Sequence, residues 1–278
     1  KKFPIIMSIS LLLGDNHPAD IRGVVMFRDI TLDKDVDKAK TEFVSLASHQ
    51  LRTPLSAINW YTEMLLAGDA GEVNSEQKKY LDEIYHGNKR MVELVNALLN
   101  VSRLELGTFA VDPEAVDVVK LFTSVIDEQK PQIDQRGIKL NFQVGDNIPV
   151  IQADPKLLRM VFQNLLSNAT KYNLDNGSIT IEILFEKSKN DILIKVADTG
   201  WGIPKDQEDK IFTKLFRADN VKEHDTEGTG LGLYIVESII KQTGSFIRFE
   251  SEEGKGTTFF ITIPVSGMKK KAGLKKLT

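Results

Sequence analysis

The sequence predicts two architectures in one chain. An all-α helical hairpin, of the kind that pairs with a second copy into a four-helix bundle, is followed by an α+β two-layer sandwich. Two observations carry this expectation. From Asp33 to Glu105, apolar residues recur at helical spacing along two long runs split by a short polar connection. After Thr108 the rhythm changes to short alternating runs interleaved with amphipathic ones, the pattern of a mixed sheet with helices on one face. The expected divisions are 1–32 as the end of a preceding domain, 33–107 as the hairpin, 108–114 as a linker, 115–266 as the sandwich and 267–278 as a basic tail.

At 278 residues the chain can build two or three domains with cores of their own. A net charge of −3 gives no general reason to expect nucleic-acid binding. The sequence has no cysteine, which excludes disulfides and thiolate metal sites and fits a reducing, cytoplasmic compartment. The chain opens on Lys1 rather than Met, so a longer parent protein is expected. The apolar run from Ile5 to Leu13 is too short to span a membrane, and no small-residue cleavage site follows it. Membrane contact is therefore expected only through a segment upstream.

The runs IIMSISLLL and VVMFRDI read as strands around a polar connection. The first long helix runs from Asp33 to about Ala67. Val36, Ala39, Phe43, Leu46, Ala47, Leu51, Pro54, Ile58, Thr62 and Leu65 approximate a coiled-coil seam along it. GDAGEVNS connects it to a second helix, Ser75 to Glu105, with Asn74 and Gln77 as a capping pair and Gly107 as the stop. One hairpin leaves its stripe half covered, so a homodimer is expected. Beyond the linker come a helix over Asp117–Gly137, strands over Ile138–Val144 and Val150–Ala153, and a helix from Pro155 to Tyr172 with proline in its first turn. Strands over Ser178–Glu186 and Asp191–Asp198, a helix over Gly230–Thr243, and strands over Ser245–Glu250 and Thr257–Pro264 complete the domain.

Phe43, Leu46, Ala47, Leu51, Leu55 and Ile58 describe the buried stripe of the first helix, and His49 falls off it. Pro54 has no N–H, so the Gln50 carbonyl loses its partner and a bend is expected just past the histidine. At neutral pH an imidazole is mostly uncharged, and one ring nitrogen offers a lone pair for nucleophilic attack.

Three further patterns bear chemistry. Asn164, Asn168 and Lys171 share one helix face, with Leu158, Val161, Phe162, Leu165 and Ala169 on the neighbouring one. Amide oxygens suit a hydrated magnesium ion that bridges phosphates, and the lysine can offset phosphate charge. Asp198 ends a strand on the same face as Ile192, Ile194 and Val196, where a carboxylate is costly without a donor such as the adenine amine. Gly228-Thr229-Gly230-Leu231-Gly232-Leu233 opens a helix, whose free N–H groups attract phosphate. Dinucleotide-fold and P-loop spacings are absent.

Taken together these segments resemble two-component sensor histidine kinases. FVSLASHQLRTPLSAI resembles the H-box, FQNLLSNATKY the N-box, DTGWGI the G1 box, IFTKLFR the F-box and GTGLGL the G2 box, in the family's order. Gly23 to Thr31 resembles the last strand of a PAS sensor domain; a plain hairpin packed on the bundle is the other reading. The resemblance implies a GHKL (Bergerat) ATP-binding sandwich and the cofactors ATP and Mg2+. It implies transfer of the γ-phosphoryl group to His49 and then to an aspartate of a response regulator. It assigns Asn164, Asn168, Lys171, Tyr172, Asp198, Gly200, Gly202, Phe212, Lys214, Gly228, Thr229, Gly230, Leu231 and Gly232 to the nucleotide, with Asn168 on the metal and Arg217 on the triphosphate. Ala218 to Glu227 would be a mobile ATP lid. Thr53 matches the position that orients water when such kinases dephosphorylate their regulator, or it caps the turn beside Pro54. A GHKL ATPase or a pseudokinase scaffold that binds ATP without phosphotransfer is the alternative. Two positions depart from the family: Gln50, often an acid, can hold the ring tautomer but not take up its proton, and Asn173 follows the N-box tyrosine.

Overall fold

The structure is a computed structural model that describes residues 5–13, 21–105, 107, 109–224 and 228–271. The chain divides into two compact units, 1–51 and 52–278. In the first unit, β1 (Ile5–Leu13) and β2 (Ile21–Asp29) pair antiparallel, with Ile5 opposite Asp29 and Leu13 opposite Ile21. Apolar side chains stand open on this ribbon, among them Ile9, Met26 and Phe27. The Asp29 carboxylate accepts from the backbone N–H and the hydroxyl of Thr31. Those bonds hold its pKa below the ordinary carboxylate value and cap the next helix. Hence α1 (Thr31–Ala67) starts two residues earlier than apolar spacing alone suggests, and its helical backbone continues through Pro54. His49 lies on the backbone of α1, but its side chain is outside the described residues.

In the second unit, α2 (Ser75–Glu105) opens on the expected reciprocal cap: Gln77 N donates to Asn74 Oδ1 and Asn74 N to Gln77 Oε1. Arg52 bonds to Asn96 and Leu55 to Asn88, so α2 runs back along the end of α1. Leu55 and Thr62 are buried, whereas Ile58, Leu65, Tyr80, Ile84, Met91 and Leu98 stay open. Farther along α2, Leu99, Val101 and Leu104 are buried.

The sandwich comprises β3 (Glu114–Val116), α3 (Val118–Gln135), β4 (Lys139–Val144), β5 (Ile151–Ala153), α4 (Pro155–Lys171), β6 (Ser178–Glu186), β7 (Asp191–Asp198), α5 (Asp219–His224), α6 (Gly232–Gln242), β8 (Phe246–Glu252) and β9 (Gly256–Pro264). The main sheet has the order β4-β6-β7-β9-β8, with β4 parallel to β6 and every other pair antiparallel. Alternation puts Ile179, Ile181 and Ile183 of β6, Ile192, Ile194 and Val196 of β7, and Ile261 and Ile263 of β9 into one core. α3 and α4 cover it, with the Phe122 and Phe162 rings stacked 4.5 Å apart.

Three segments depart from the sequence-based expectation. The stretch expected as a linker is packed: Phe109 and Val111 are buried, and β3 pairs antiparallel with β5. The basic tail is structured as far as Lys271, because Gly267 (φ 76°) turns the chain back and buries Met268. Val111 and Lys271 then exchange both backbone hydrogen bonds, at 3.0 and 3.1 Å. Lys275 and Lys276 lie outside the described residues. Finally, α6 begins at Gly232 instead of Gly230, since Gly230 takes a left-handed φ of 67°. Part of the expected lid is the short helix α5, and Asp225 to Glu227 lie outside the described residues.

Candidate functional site

The cleft of the second unit has a volume of about 660 Å3, and α4 forms one wall. Asp154 caps α4 by accepting from Lys156 N and Leu157 N, and Pro155 fits its first turn. The apolar face of α4 faces the core, which turns Asn164, Asn168, Lys171 and Tyr172 toward the opening. Asn164 donates its Nδ2 to the Met160 carbonyl at 2.7 Å, and its Oδ1 would lie 2.6 Å from any Cβ at Gly232. Only glycine lets α6 start that close to α4. Lys171 Nζ stands 5.9 Å from the centre of the Tyr172 ring.

Asp198, at the end of β7, closes the deep end. Its Oδ1 accepts from Gly200 N at 2.9 Å and from Thr257 N at 3.2 Å. Burial pushes the carboxyl up to about 6, against the lowering effect of those two N–H groups. Beside it, Gly202 and Thr257 line the cleft. The mouth is built from Arg217, Gly228, Thr229, Gly230 and Gly232. A Cβ on Gly228 would sit 2.8 Å from the Tyr172 hydroxyl and 3.1 Å from Arg217 Nε, so the loop, the tyrosine and the arginine meet there. α6 starts with its first backbone N–H groups toward this loop, a setting suited to anions.

Eleven of the expected nucleotide and triphosphate residues border this one cleft: Asn164, Asn168, Lys171, Tyr172, Asp198, Gly202, Arg217, Gly228, Thr229, Gly230 and Gly232. Gly200, Phe212, Lys214 and Leu231 do not line it. Gly200 packs behind the turn, where a Cβ would lie 2.1 Å from the Tyr172 carbonyl oxygen. Phe212 is edge-on to Phe249, and Leu231 is buried core. Lys214 is ion-paired with Glu105 at the end of α2 and lies 5.2 Å from the Tyr234 ring centre. Gln50 and Thr53 are exposed on α1. Sequence reasoning missed Thr257, whose isolated threonine carries no pattern, and the polar wall of Glu128, Gln132 and Gln163 contributed by α3 and α4.

Two family models match the chain. Residues 39–107 match the His Kinase A (phospho-acceptor) domain. Residues 153–267 match the Histidine kinase-, DNA gyrase B-, and HSP90-like ATPase. The chain is 31% identical over 237 residues to the circadian input-output histidine kinase CikA of Synechococcus elongatus, covering 84% of this chain and 31% of that protein. Full-length ShkA in complex with AMPPNP superposes with a TM-score of 0.68 at 25% identity, over 82% of this chain and 46% of that one. Histidine kinase ThkA in complex with response regulator protein TrrA shares the fold, with a TM-score of 0.56 at 20% identity over 93% of this chain and 74% of that one. The chain thus spans about a third of the length of its curated relative. A phospho-acceptor hairpin joined to an ATPase sandwich of this type defines the class of ATP-dependent protein histidine kinases. Within that class the chain belongs to the two-component sensor histidine kinases.

Proposed function

We propose that this chain autophosphorylates His49 from Mg–ATP and passes the phosphoryl group to an aspartate of a response regulator. The observation that carries the reading is the convergence of Asp198, the Asn164–Asn168–Lys171 face and the Gly228–Gly232 loop on one cleft of nucleotide size, in a chain that also bears the phospho-acceptor hairpin.

The cleft reads adenine at its closed end, where the ionised Asp198 carboxylate accepts from the exocyclic amine. The triphosphate runs outward past Asn168 and Lys171 to the glycine loop, where Arg217 and the first N–H groups of α6 offset charge. Among the described residues no cluster of three carboxylates or histidines could hold a metal unaided. At the cleft, Asn168 would offer its amide oxygen to a hydrated magnesium ion. Such an ion, when bound, would supply positive charge against the phosphates. The neutral His49 ring forms an N–P bond as the bond from Pγ to the departing ADP oxygen breaks. Gln50 accepts a hydrogen bond from the other ring N–H and holds the tautomer, and the proton of the resulting cationic ring is released to water.

The open stripe of Ile58, Leu65, Tyr80, Ile84, Met91 and Leu98 supports a homodimer through the hairpin. In this reading Thr53, exposed on α1, orients water in regulator dephosphorylation, and β1–β2 ends a PAS-like sensor domain.

The test is labelling of the purified protein with γ-labelled ATP and magnesium. Label is expected to be acid-labile and base-stable, and lost in His49→Gln with ATP affinity retained. A wild type that binds ATP but never acquires label overturns the proposal.

A further inference from the structure

The two halves of the cleft belong to different elements, α4 and the turn after β7, and a single buried side chain joins them. Asn173 follows Tyr172 just past α4 and is fully buried. Its Oδ1 accepts from Leu174 N at 3.0 Å and from the Thr199 hydroxyl at 3.2 Å, and its Nδ2 donates to the Ser178 carbonyl at 3.0 Å. Thr199 Oγ1 in turn accepts from Ser178 N at 2.8 Å. Both functions of the amide are therefore used, and they hold the residue next to Asp198.

The space around this hub admits nothing larger. A Cβ on Gly177 would lie 2.4 Å from Asn173 Oδ1, and one on Gly200 would lie 2.9 Å from Asn173 Cα. Trp201 N donates to the Tyr172 carbonyl at 3.1 Å, so the turn is docked on the end of α4 at two successive residues. That end is itself fixed by Arg136 of the α3–β4 connection. Its guanidinium donates to the carbonyls of Thr170, Lys171 and Asn173 at 2.5, 2.8 and 2.9 Å.

We infer that Asn173 is a positioning residue that sets the Asp198 carboxylate against the phosphate-binding face of α4, and so governs how strictly the cleft selects adenine. This rests on the reading of the cleft as an ATP site. Asn173 touches no substrate; it acts through Thr199 and the Gly200 N–H that Asp198 accepts. Loss of the amide frees the turn, lengthens the Gly200–Asp198 bond and leaves the carboxylate misaimed at the base.

The experiment compares binding of ATP with purine riboside triphosphate, which lacks the exocyclic amine, to the full chain. Wild type is expected to prefer ATP by about tenfold or more, the worth of one hydrogen bond to a charged group. Asn173→Ala is expected to bring that ratio below about threefold. Thr199→Val should move it the same way, and because Thr199 is exposed that variant keeps the question open to test if Asn173→Ala fails to fold. Thr199→Ser, which keeps the hydroxyl, should restore the wild-type ratio. A core variant, Ile263→Val, matched in melting temperature, should leave the ratio unchanged. The pH midpoint of ATP binding should rise in Asn173→Ala, because Asp198 loses a donor that lowers its pKa. Unchanged ratio and midpoint in both Asn173→Ala and Thr199→Val overturn the inference while the ATP site stands. A wild type that binds neither nucleotide, or binds both equally, overturns the ATP-site reading itself.

Discussion

The Asn88 amide of α2 donates to the Leu55 carbonyl of α1 at 2.8 Å, one residue past Pro54. Asn88 is buried, and it also reaches Asn59 Oδ1 at 3.3 Å. The carbonyl that Pro54 leaves without its usual helical partner is that of Gln50, so this bond ties α2 to α1 beside the proline and does not replace the lost one. Asn88→Ala is expected to destabilise the hairpin by about 1–2 kcal/mol. Urea unfolding followed by circular dichroism measures this, and a change near zero would show that the bond adds nothing there.

Asp198 gives the protein a signed pH dependence. Its folded pKa is raised to about 6 by burial, so the folded state binds this proton more tightly than the unfolded chain. The stability it contributes is full below the ordinary carboxylate value and is lost as pH rises through about 6. ATP binding runs the other way, because the ionised form is the stronger acceptor for the amine. Affinity should fall about tenfold per pH unit below about pH 6. In Asp198→Asn affinity should be low and flat with pH, and the nucleotide-free protein more stable at pH 7. Calorimetric titration across the window checks both signs.

Lys214 does not line the cleft. It pairs with Glu105 and stands over Tyr234 at about two-fifths exposure, which makes an ion pair worth under about 1 kcal/mol. Lys214→Gln should leave ATP affinity within about twofold, measured by titration. A tenfold loss would place the lysine on the phosphates instead.

Met268 is buried, and its sulfur accepts from Asp154 N at 3.4 Å. Met268→Ala should cost about 2–4 kcal/mol and lower the melting temperature by about 5–10 °C. ATP affinity is expected to persist wherever the domain stays folded. Calorimetric melting is the check.

What the sequence made legible was periodic or glycine-marked. The parity of Ile192, Ile194 and Val196 fixed the face of Asp198, and the apolar spacing of α4 fixed where Asn164, Asn168 and Lys171 turn. Lone residues stayed hidden. Thr257 meets Asp198, 59 residues earlier, through its backbone N–H, and Asn173, visible only as a departure after the N-box tyrosine, joins Thr199, 26 residues on; no local pattern announces either pairing. For Lys214, motif position does not reveal the ion pair with Glu105, more than 100 residues earlier in the chain. The packing of the tail was hidden because its lysines outnumber the one methionine that anchors it. Its register depends on Val111, more than 150 residues earlier.

The Val111–Lys271 exchange ties the way into the sandwich to the way out. The Val111 side of that seam follows the end of α2, where Gln242 Nε2 also donates to the Leu104 carbonyl, and the Lys271 side follows β9. The segment that follows α2 therefore enters the sandwich pinned by a backbone pair and a side-chain bond rather than as a loose tether. Such a joint can carry torque as well as tension to the sandwich.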